Sequence, residues 1–234
     1  AAGLRTPNLA SGSRFAAPEE STVYEFGLKG QWDVAAVNIA VFKQSIKGFQ
    51  SNIFTGLGFV LANAGKQSTW GMEFEGSVRP VDGLTLGVSF TYLDPKYNSF
   101  VASAFGDVSG TRPADIPGIS TTFSGQYDYD IGNGDQLILR GSFHYESPVQ
   151  VVEGLPGFIV KNPITGAVIN DQPGLDAARP YRREVDELDA SLTYAMQNGF
   201  EVSVWGRNLL DDRYISTVFD SPAQSGSVSA YSNQ

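Results

Sequence analysis

The 234-residue sequence contains no cysteine and a single histidine, His144. Without cysteine the protein can form no disulfide framework, no zinc finger and no thiol nucleophile. A single histidine also excludes a metal site built from several imidazole ligands. The chemistry open to this chain therefore rests on carboxylates, hydroxyls, cationic side chains and aromatic rings.

Long hydrophobic runs are also missing, since no apolar stretch reaches the roughly 18–20 residues that a membrane-spanning helix needs. This absence leaves membrane proteins open, because the strands of a barrel cross a bilayer with about 9–11 residues each. Only 18% of the residues are charged, and the net charge is −9. An acidic chain lacks the basic face that nucleic acids require, so nucleic acid is excluded as a partner.

What the sequence does contain is a unit repeated four times, in which two alternating strands are joined by a tight turn. Long connections separate the units. The predicted strand pairs span residues 22–32 and 34–45, 69–79 and 84–94, 119–130 and 136–146, and 186–196 and 200–210. Short turns at one end and long loops at the other are typical of an outer-membrane β-barrel with periplasmic turns and extracellular loops.

Within these strands, apolar and polar side chains alternate with the two-residue period of a strand that has two different faces. In the third strand, for example, Trp70 and Phe74 oppose Glu73. Two strands depart from the rule, because Phe42 and Trp205 fall on the polar side. Alternation alone also suits a soluble β-sandwich or lipocalin, so it leaves both environments open.

Ionised side chains inside the strands and aromatic residues near the strand ends favour lipid. If the tight turns are periplasmic, the aromatic residues of the apolar face gather at two levels. The outer level holds Tyr24, Trp70, Tyr92 and Tyr145, and the inner level holds Trp32, Tyr129, Tyr194 and Phe200. Amphipathic rings prefer the headgroup regions of a bilayer, which gives membrane barrels two aromatic girdles.

Glycine and asparagine mark the turns. Asn198-Gly199 predicts a type I′ hairpin turn, in which both central residues take positive φ. Asp82-Gly83 and the Gly-Asn-Gly sequence at 132–134 supply the same tolerance. The long connections cover residues 48–68, 95–118, 147–185 and 211–234. Connections of this length are usually functional or disordered.

A specific resemblance begins at residues 206–214, which read Gly-Arg-Asn-Leu-Leu-Asp-Asp-Arg-Tyr. This stretch resembles the signature that precedes the last strand of TonB-dependent outer-membrane receptors. The residues that carry it are Asn208, Leu209, Asp211 and Tyr214. Four further blocks resemble that family in order, at residues 5–9, 18–30, 63–73 and 91–94. Each block is weak alone, but together they cover nearly the whole chain.

The resemblance implies an all-β fold, an antiparallel transmembrane β-barrel whose lumen holds a plug domain. Plugged transporter barrels have about 22 strands, so eight strands are roughly a third of one. We therefore expect residues 1–234 to form one partial barrel domain that lacks the plug and the TonB box and ends before the final strand. A complete eight-stranded barrel is the alternative, and its size is allowed.

Two sets of residues are candidate functional groups. The residues predicted to face the lumen or a plug are Glu25, Lys29, Glu73, Glu75, Arg79, Arg140 and Glu187. The loop residues predicted to contact substrate are Phe100, Phe105, Arg112, Phe158, Arg179, Tyr181, Arg182 and Arg183. Rings and guanidinium groups suit an anionic or aromatic chelate, because arginine forms paired hydrogen bonds with carboxylates. Arg182 and Arg183 also suit a lipopolysaccharide contact or a solvated loop edge, and the lumen charges also suit simple hydration.

Enzyme chemistry is not indicated, and we expect neither a cofactor nor a metal. A catalytic triad would use His144 with Ser142 and Glu146. Neighbours on one strand face stand about 7 Å apart, which is too far for the direct hydrogen bonds of a triad.

The resemblance implies a receptor of the bacterial outer membrane that binds a scarce nutrient, such as an iron–siderophore complex, and imports it with TonB-supplied energy. The implied partners are outer-membrane lipid and lipopolysaccharide, a plug domain, the TonB complex and the small-molecule nutrient. A passive outer-membrane pore or structural barrel is the first alternative. A soluble ligand-binding β-barrel is the second.

Overall fold

The computed structural model of the chain describes residues 16–54, 59–63, 65–101, 103, 106–221 and 226–233. Its strands are β1 (Glu20–Gln31), β2 (Ala35–Lys47), β3 (Gln50–Phe54), β4 (Phe59–Asn63), β5 (Lys66–Val81), β6 (Leu84–Ser99), β7 (Ile119–Gly132), β8 (Asp135–Gln150), β9 (Val160–Lys161), β10 (Val168–Asn170), β11 (Arg182–Ala195), β12 (Glu201–Gly206), β13 (Ile215–Asp220) and β14 (Val228–Ser232). A 3₁₀ turn covers Pro156–Phe158, and a short helix, α1, covers Gln172–Ala178. None of the helical segments in these ranges is long and apolar enough to cross a membrane.

Eight strands form one large sheet with the order β1-β2-β5-β6-β7-β8-β11-β12. Every neighbouring pair in it is antiparallel. These strands are those of the four predicted units, so the predicted antiparallel all-β wall is confirmed. In the described part of the chain β1 and β12 do not pair with each other, and the sheet is an open arc.

Several wall strands extend further toward the long loops than alternation predicted. β5 begins at Lys66, β6 continues to Ser99 and β8 continues to Gln150. β12 is shorter and ends at Gly206, because the chain then turns and Leu209 donates its backbone N–H to Leu188 on β11. Among the described residues, three of the four long connections contain hairpins of their own, formed by β3 with β4, β9 with β10 and β13 with β14.

The strand register confirms that the wall has two different faces. One row of directly opposed residues is Leu28, Ile39, Phe74 and Phe90. The adjacent row is Lys29, Asn38, Glu75 and Ser89. Opposed residues project from the same side of a sheet, so these rows give one apolar and one polar face.

Several aromatic residues of the apolar face lie near the two ends of the wall, at the predicted levels. Near the loop end, Trp70 packs edge to face against Tyr92, with ring centroids 5.8 Å apart. Near the tight turns, Tyr129 and Tyr194 share one row, with Leu137 between them. The two levels are consistent with headgroup regions on either side of an apolar layer.

The two departures from alternation have local partners. The Phe42 ring covers Gly71, its direct partner on β5, and fills the space that a side chain there would take. Trp205 lies under the guanidinium group of Arg207, whose carbon is 5.4 Å from the ring centroid. Cation–π attraction stabilises a ring in this position. Both rings therefore have a physical reason to lie on the polar face.

Three of the four tight turns of the wall contain glycine, but one of them does not have the predicted geometry. Asn133 and Gly134 both have positive φ, 55° and 86°, as a type I′ turn requires. The type I′ prediction for Asn198-Gly199 is wrong, since of these two only Gly199 has positive φ. Its N–H donates to Met196 over 2.9 Å, and Met196 donates to Phe200 over 2.8 Å. That pattern is a three-residue loop ending in a left-handed glycine.

Buried hydrophobic side chains gather in the loops at the outer end of the wall. The first loop cluster consists of Phe49, Tyr97, Phe100 and Val108. The second loop cluster consists of Val151, Leu155, Ala178 and Val218. Helix α1 joins them, since its Leu175 packs against the first cluster and its Ala178 belongs to the second. Hydrophobic contacts thus hold loops from different wall strands together.

On the apolar face of the wall, by contrast, large side chains stay exposed across the sheet. Among them are Phe26, Leu28, Phe123, Leu139, Leu192 and Val204. Soluble proteins rarely leave so broad an apolar patch in contact with water. The apolar face therefore requires a nonpolar environment such as lipid.

We expect Leu139→Arg to destabilise the intact protein in a bilayer by about 2–4 kcal/mol, because it places a charge on the lipid-facing side. Leu139 is 52% exposed on that face. Ser142→Arg is the matched control on the polar face of the same strand and should cost much less. The measurement is urea unfolding in phospholipid vesicles, and equal losses in both variants would contradict the assigned facing.

Candidate functional site

The polar face carries most of the residues predicted to face the lumen. By register, Glu25, Lys29, Glu73, Glu75, Arg140 and Glu187 all project from this side. Asn38 stands between Lys29 and Glu75 and its amide approaches the Glu75 carboxylate at 3.5 Å. Arg79 instead donates to the backbone oxygen of Asp33 over 2.8 Å and helps close the turn between β1 and β2. Contact between these residues and a plug stays a prediction.

A groove of about 540 Å³ runs along this face between β6 and β12. Arg140 lines it and donates through Nε to Gln126 over 2.8 Å, while Gln126 donates to Asp128 over 2.9 Å. Trp205 and Arg207 complete the opposite side. Arg140 and Trp205 both stand out in the sequence, but only the strand pairing shows that they border one groove.

At the outer end, two loops enclose a cavity of about 320 Å³, here called the loop cavity. Its lining is Val108, Thr111, Arg112, Ala114, Gln150, Glu153, Gln172, Leu175 and Arg179. Two residues predicted to contact substrate, Arg112 and Arg179, thus come together although they are far apart in sequence. Arg179 is exposed and pairs with Asp176 at 3.3 Å, whereas Arg112 donates to the Leu93 oxygen over 2.7 Å and mainly holds its own loop.

Glu153 is a lining residue that sequence analysis missed. One of its carboxylate oxygens, Oε1, accepts the Tyr97 hydroxyl over 2.9 Å and the Ala114 N–H over 3.2 Å. These two bonds fix the carboxylate between the β6 end and the loop that follows it. Nothing in the local sequence of Glu153 signals this role, because both partners lie about 40 or more positions away.

The other residues predicted to contact substrate lie in different surroundings. Phe100 is only 4% exposed in the first loop cluster. Phe158 and Tyr181 pack against the second loop cluster. Arg182 is exposed and donates to the Pro148 oxygen over 3.2 Å. Phe105 lies outside the described residues, and substrate contact by all of these residues stays a prediction.

Arg183 occupies the junction between loop and wall. Its side chain is 15% exposed and forms ion pairs with Glu146 on β8, at 3.0 Å, and with Asp115 in the loop after β6. The second oxygen of Glu146 lies 3.6 Å from Nε2 of His144, whose Nδ1 is 2.9 Å from the Thr122 hydroxyl. His144 therefore belongs to a polar network in the wall.

The sequence signature at 208–214 forms a sharp turn held by side chains. Asn208 has a φ of 47°, and its side chain accepts the Asp212 N–H over 2.8 Å and donates to the Asp212 oxygen over 2.9 Å. The backbone N–H of Asn208 donates to Asp189 on β11 over 2.8 Å. Asp211 also has positive φ, at 53°. Asparagine tolerates this left-handed conformation better than most residues, which explains its presence here.

The last residue of this signature, Tyr214, contacts the wall through its side chain. The Tyr214 hydroxyl donates to the Glu187 carboxylate over 3.1 Å. Burial, reinforced by Glu187, raises the pKa of Tyr214, so it stays a neutral donor in ordinary conditions. The signature is therefore a structural element that docks the last loop onto β11.

The family model described as TonB dependent receptor-like, beta-barrel, matches residues 1–209. The chain belongs to the TonB-dependent receptor β-barrel family. The wall with its short turns, its long loops and its apolar belt is the arrangement expected of this family in the bacterial outer membrane. Members of the family reside there, and we place this receptor in the same membrane.

Solved structures with the same fold include siderophore receptors. The ferric yersiniabactin uptake receptor FyuA from Yersinia pestis superposes with a TM-score of 0.65 at 20% identity, covering 92% of this chain and 28% of that one. BauA, the ferric preacinetobactin receptor from Acinetobacter baumannii, gives 0.57 at 16% identity, covering 97% and 30%. FpvA from P. aeruginosa gives 0.60 at 15% identity, covering 91% and 26%. The chain thus spans less than a third of the length of these receptors.

We expect Asn208→Ala to destabilise the barrel by about 2–3 kcal/mol, because it removes two hydrogen bonds and strains the left-handed backbone. Asn208→Gly should cost less, since glycine accepts positive φ and loses only the hydrogen bonds. The control is Arg213→Ala, which removes an exposed ion pair with Asp211 and should change little. Urea unfolding of the intact receptor measures all three, and equal effects of Asn208→Ala and Arg213→Ala would refute this account of the turn.

Proposed function

We propose that the protein is the barrel part of an outer-membrane active transport receptor, which binds a scarce nutrient such as an iron–siderophore complex and imports it to the periplasm. The observation that carries the proposal is the packed outer end, where two hydrophobic clusters hold loops from separate hairpins in fixed positions around a cavity. A passive pore does not need loops packed into a fixed structure at its outer opening. Membership of the TonB-dependent family supports the same conclusion.

The chemistry of the loop cavity suits an anionic chelate with hydrogen-bonding groups. Arg179 is exposed at the cavity edge, and its guanidinium group would exchange its exposed ion pair with Asp176 for a ligand carboxylate or catecholate. Glu153 and Gln150 supply acceptors, and Val108 and Leu175 supply apolar surface. A small number of polar groups within a partly apolar lining is common in ligand sites.

The partners of this receptor follow from the same proposal. The polar wall would face a plug domain, the apolar belt would face outer-membrane lipid, and the exposed outer edge would meet lipopolysaccharide. TonB would supply the energy that displaces the plug. Arg140, Glu75 and the other lumen residues would contact the plug or line a water-filled path for the nutrient. No enzymatic step is part of this mechanism.

Uptake by cells is the direct test. Cells carrying the full-length receptor should accumulate radioactive iron from at least one chelate in a panel of hydroxamate, catecholate and carboxylate siderophores. Collapse of the proton gradient or deletion of TonB should abolish that accumulation. Planar bilayers containing the purified receptor should be nearly silent, and a steady open current together with energy-independent uptake would establish the passive pore instead.

Arg179→Ala should weaken binding of the accepted chelate by about tenfold, because it removes one charge-assisted hydrogen bond at the cavity edge. Lys161→Ala is the matched control, since Lys161 is an exposed cation on β9 in the same long connection but outside the cavity. Equilibrium binding to the purified receptor measures both. A loss of equal size in the two variants would mean that loop charge matters and the cavity does not.

A further inference from the structure

Both terminal nitrogens of the Arg183 guanidinium group are already paired with carboxylates of the protein. One terminal nitrogen lies 3.0 Å from a Glu146 oxygen on β8, and the other pairs with Asp115. The remaining nitrogen, Nε, is buried with no hydrogen-bond partner among the described residues. With 15% of its side chain exposed, Arg183 offers no free pair of donors to a ligand.

The two carboxylates that Arg183 joins belong to different parts of the molecule. Glu146 lies on the wall, where Arg183 and His144 flank it and the hydroxyl of Thr122 extends the network to β7. Glu187, which directly opposes His144 in the register, is the acceptor of the Tyr214 hydroxyl. Asp115 lies in the loop that follows β6 and is 57% exposed. Arg183 thus connects the polar network of the wall to a loop.

The loop segment held by Arg183 forms one side of the loop cavity. Asp115 donates its N–H to the Gln150 oxygen over 2.8 Å, and Ala114 donates to Glu153 over 3.2 Å. Ala114, Gln150 and Glu153 all line the cavity. The position of Asp115 therefore sets the distance between the two loops that enclose it. Asp115 also has a φ of 63°, a backbone conformation that needs support from its surroundings.

We propose that Arg183 is a positioning residue, which ties residues 111–116 to β8 and β11 and so sets the shape of the loop cavity without touching the ligand. This role replaces the substrate contact that the sequence suggested for Arg183. It rests on the proposed function only in taking the loop cavity as the place where the ligand binds.

Arginine is suited to this role in a way that lysine is not. Its planar group presents two donors in a fixed geometry and can hold two carboxylates from separate elements at once. A lysine ammonium is a single point of charge on a long stem and would favour one carboxylate over the other. Without any cation here, Asp115 and Glu146 would lie near each other without neutralisation, and the loop would move away.

Hydrogen exchange of the intact receptor in nanodiscs tests the proposal without any ligand. In Arg183→Met, the amides of Ala114 and Asp115 should exchange about tenfold faster or more, because their hydrogen bonds open when the loop is released. Arg183→Lys should restore part of the protection. The matched control is Arg182→Met, which removes the neighbouring exposed arginine and should change exchange at 111–116 by less than about twofold.

A second variant weakens the same ion pair by changing its loop residue, Asp115, and leaves the wall residues unchanged. Asp115→Asn keeps the positive φ, which asparagine tolerates, and removes only the charge. It should accelerate exchange at 111–116 in the same direction. Combined with Arg183→Met it should add little more, because both changes remove one interaction.

Uptake provides a functional readout that a general loss of stability would not reproduce. For the siderophore that the panel identifies, Arg183→Met and Asp115→Asn should raise the half-saturating concentration about three- to tenfold and leave the maximal rate unchanged. The positioning role is overturned if exchange at 111–116 is unaffected in both variants, if Arg182→Met has the same effect, or if exchange rises evenly along the wall strands. If no siderophore is taken up, the proposed function fails, and the exchange result still decides the role of Arg183.

Discussion

The constraint on which this structure depends is the hydrogen bonding of the strand backbones in a layer without water. Each N–H and C=O inside a bilayer must find a partner in the protein, and adjacent strands supply those partners. A one-residue slip between two strands would turn every apolar side chain of one of them to the polar side. The continuous register from β1 to β12 prevents this, and it keeps rows such as Leu28–Ile39–Phe74–Phe90 on one face.

The outer end is stabilised in a different manner. Above the wall, hydrophobic burial takes over, and the first and second loop clusters contain eight of the twelve buried apolar side chains among the described residues. Between the membrane-spanning wall and the loop clusters lies a band of ion pairs and side-chain hydrogen bonds. It includes the contacts of Arg183, Tyr214 and Asn208. Along the strand direction, the stabilising interactions thus change from contact with lipid, to a polar network, to a packed hydrophobic core.

Much of the wall was predictable because its signals are local. Alternation of period two identified all four hairpins, and glycine marked the turns of three of them. The errors have local causes as well. The Asn198-Gly199 loop has three residues instead of two. β12 stops at Gly206 because Asn208 begins a turn that the Asp189 side chain and the Leu188 backbone on β11 hold in place. The site was less predictable. Arg112 and Arg179 were recognised as cations in loops, but the partners of Arg183 and the role of Glu153 depend on contacts 37 to 68 positions apart that no periodicity reveals.

The hairpin of β9 and β10 lies apart from this packed organisation. Its tip residue Ile164 is 92% exposed, and none of its residues belongs to either loop cluster. Extra residues inserted at this tip would disturb neither the wall nor the loop cavity, and longer surface loops have only a small entropic cost. This hairpin is therefore a place on the outer surface where length and sequence are free to diverge under selection, while helix α1, only a few residues further along the chain, packs against both loop clusters and is not.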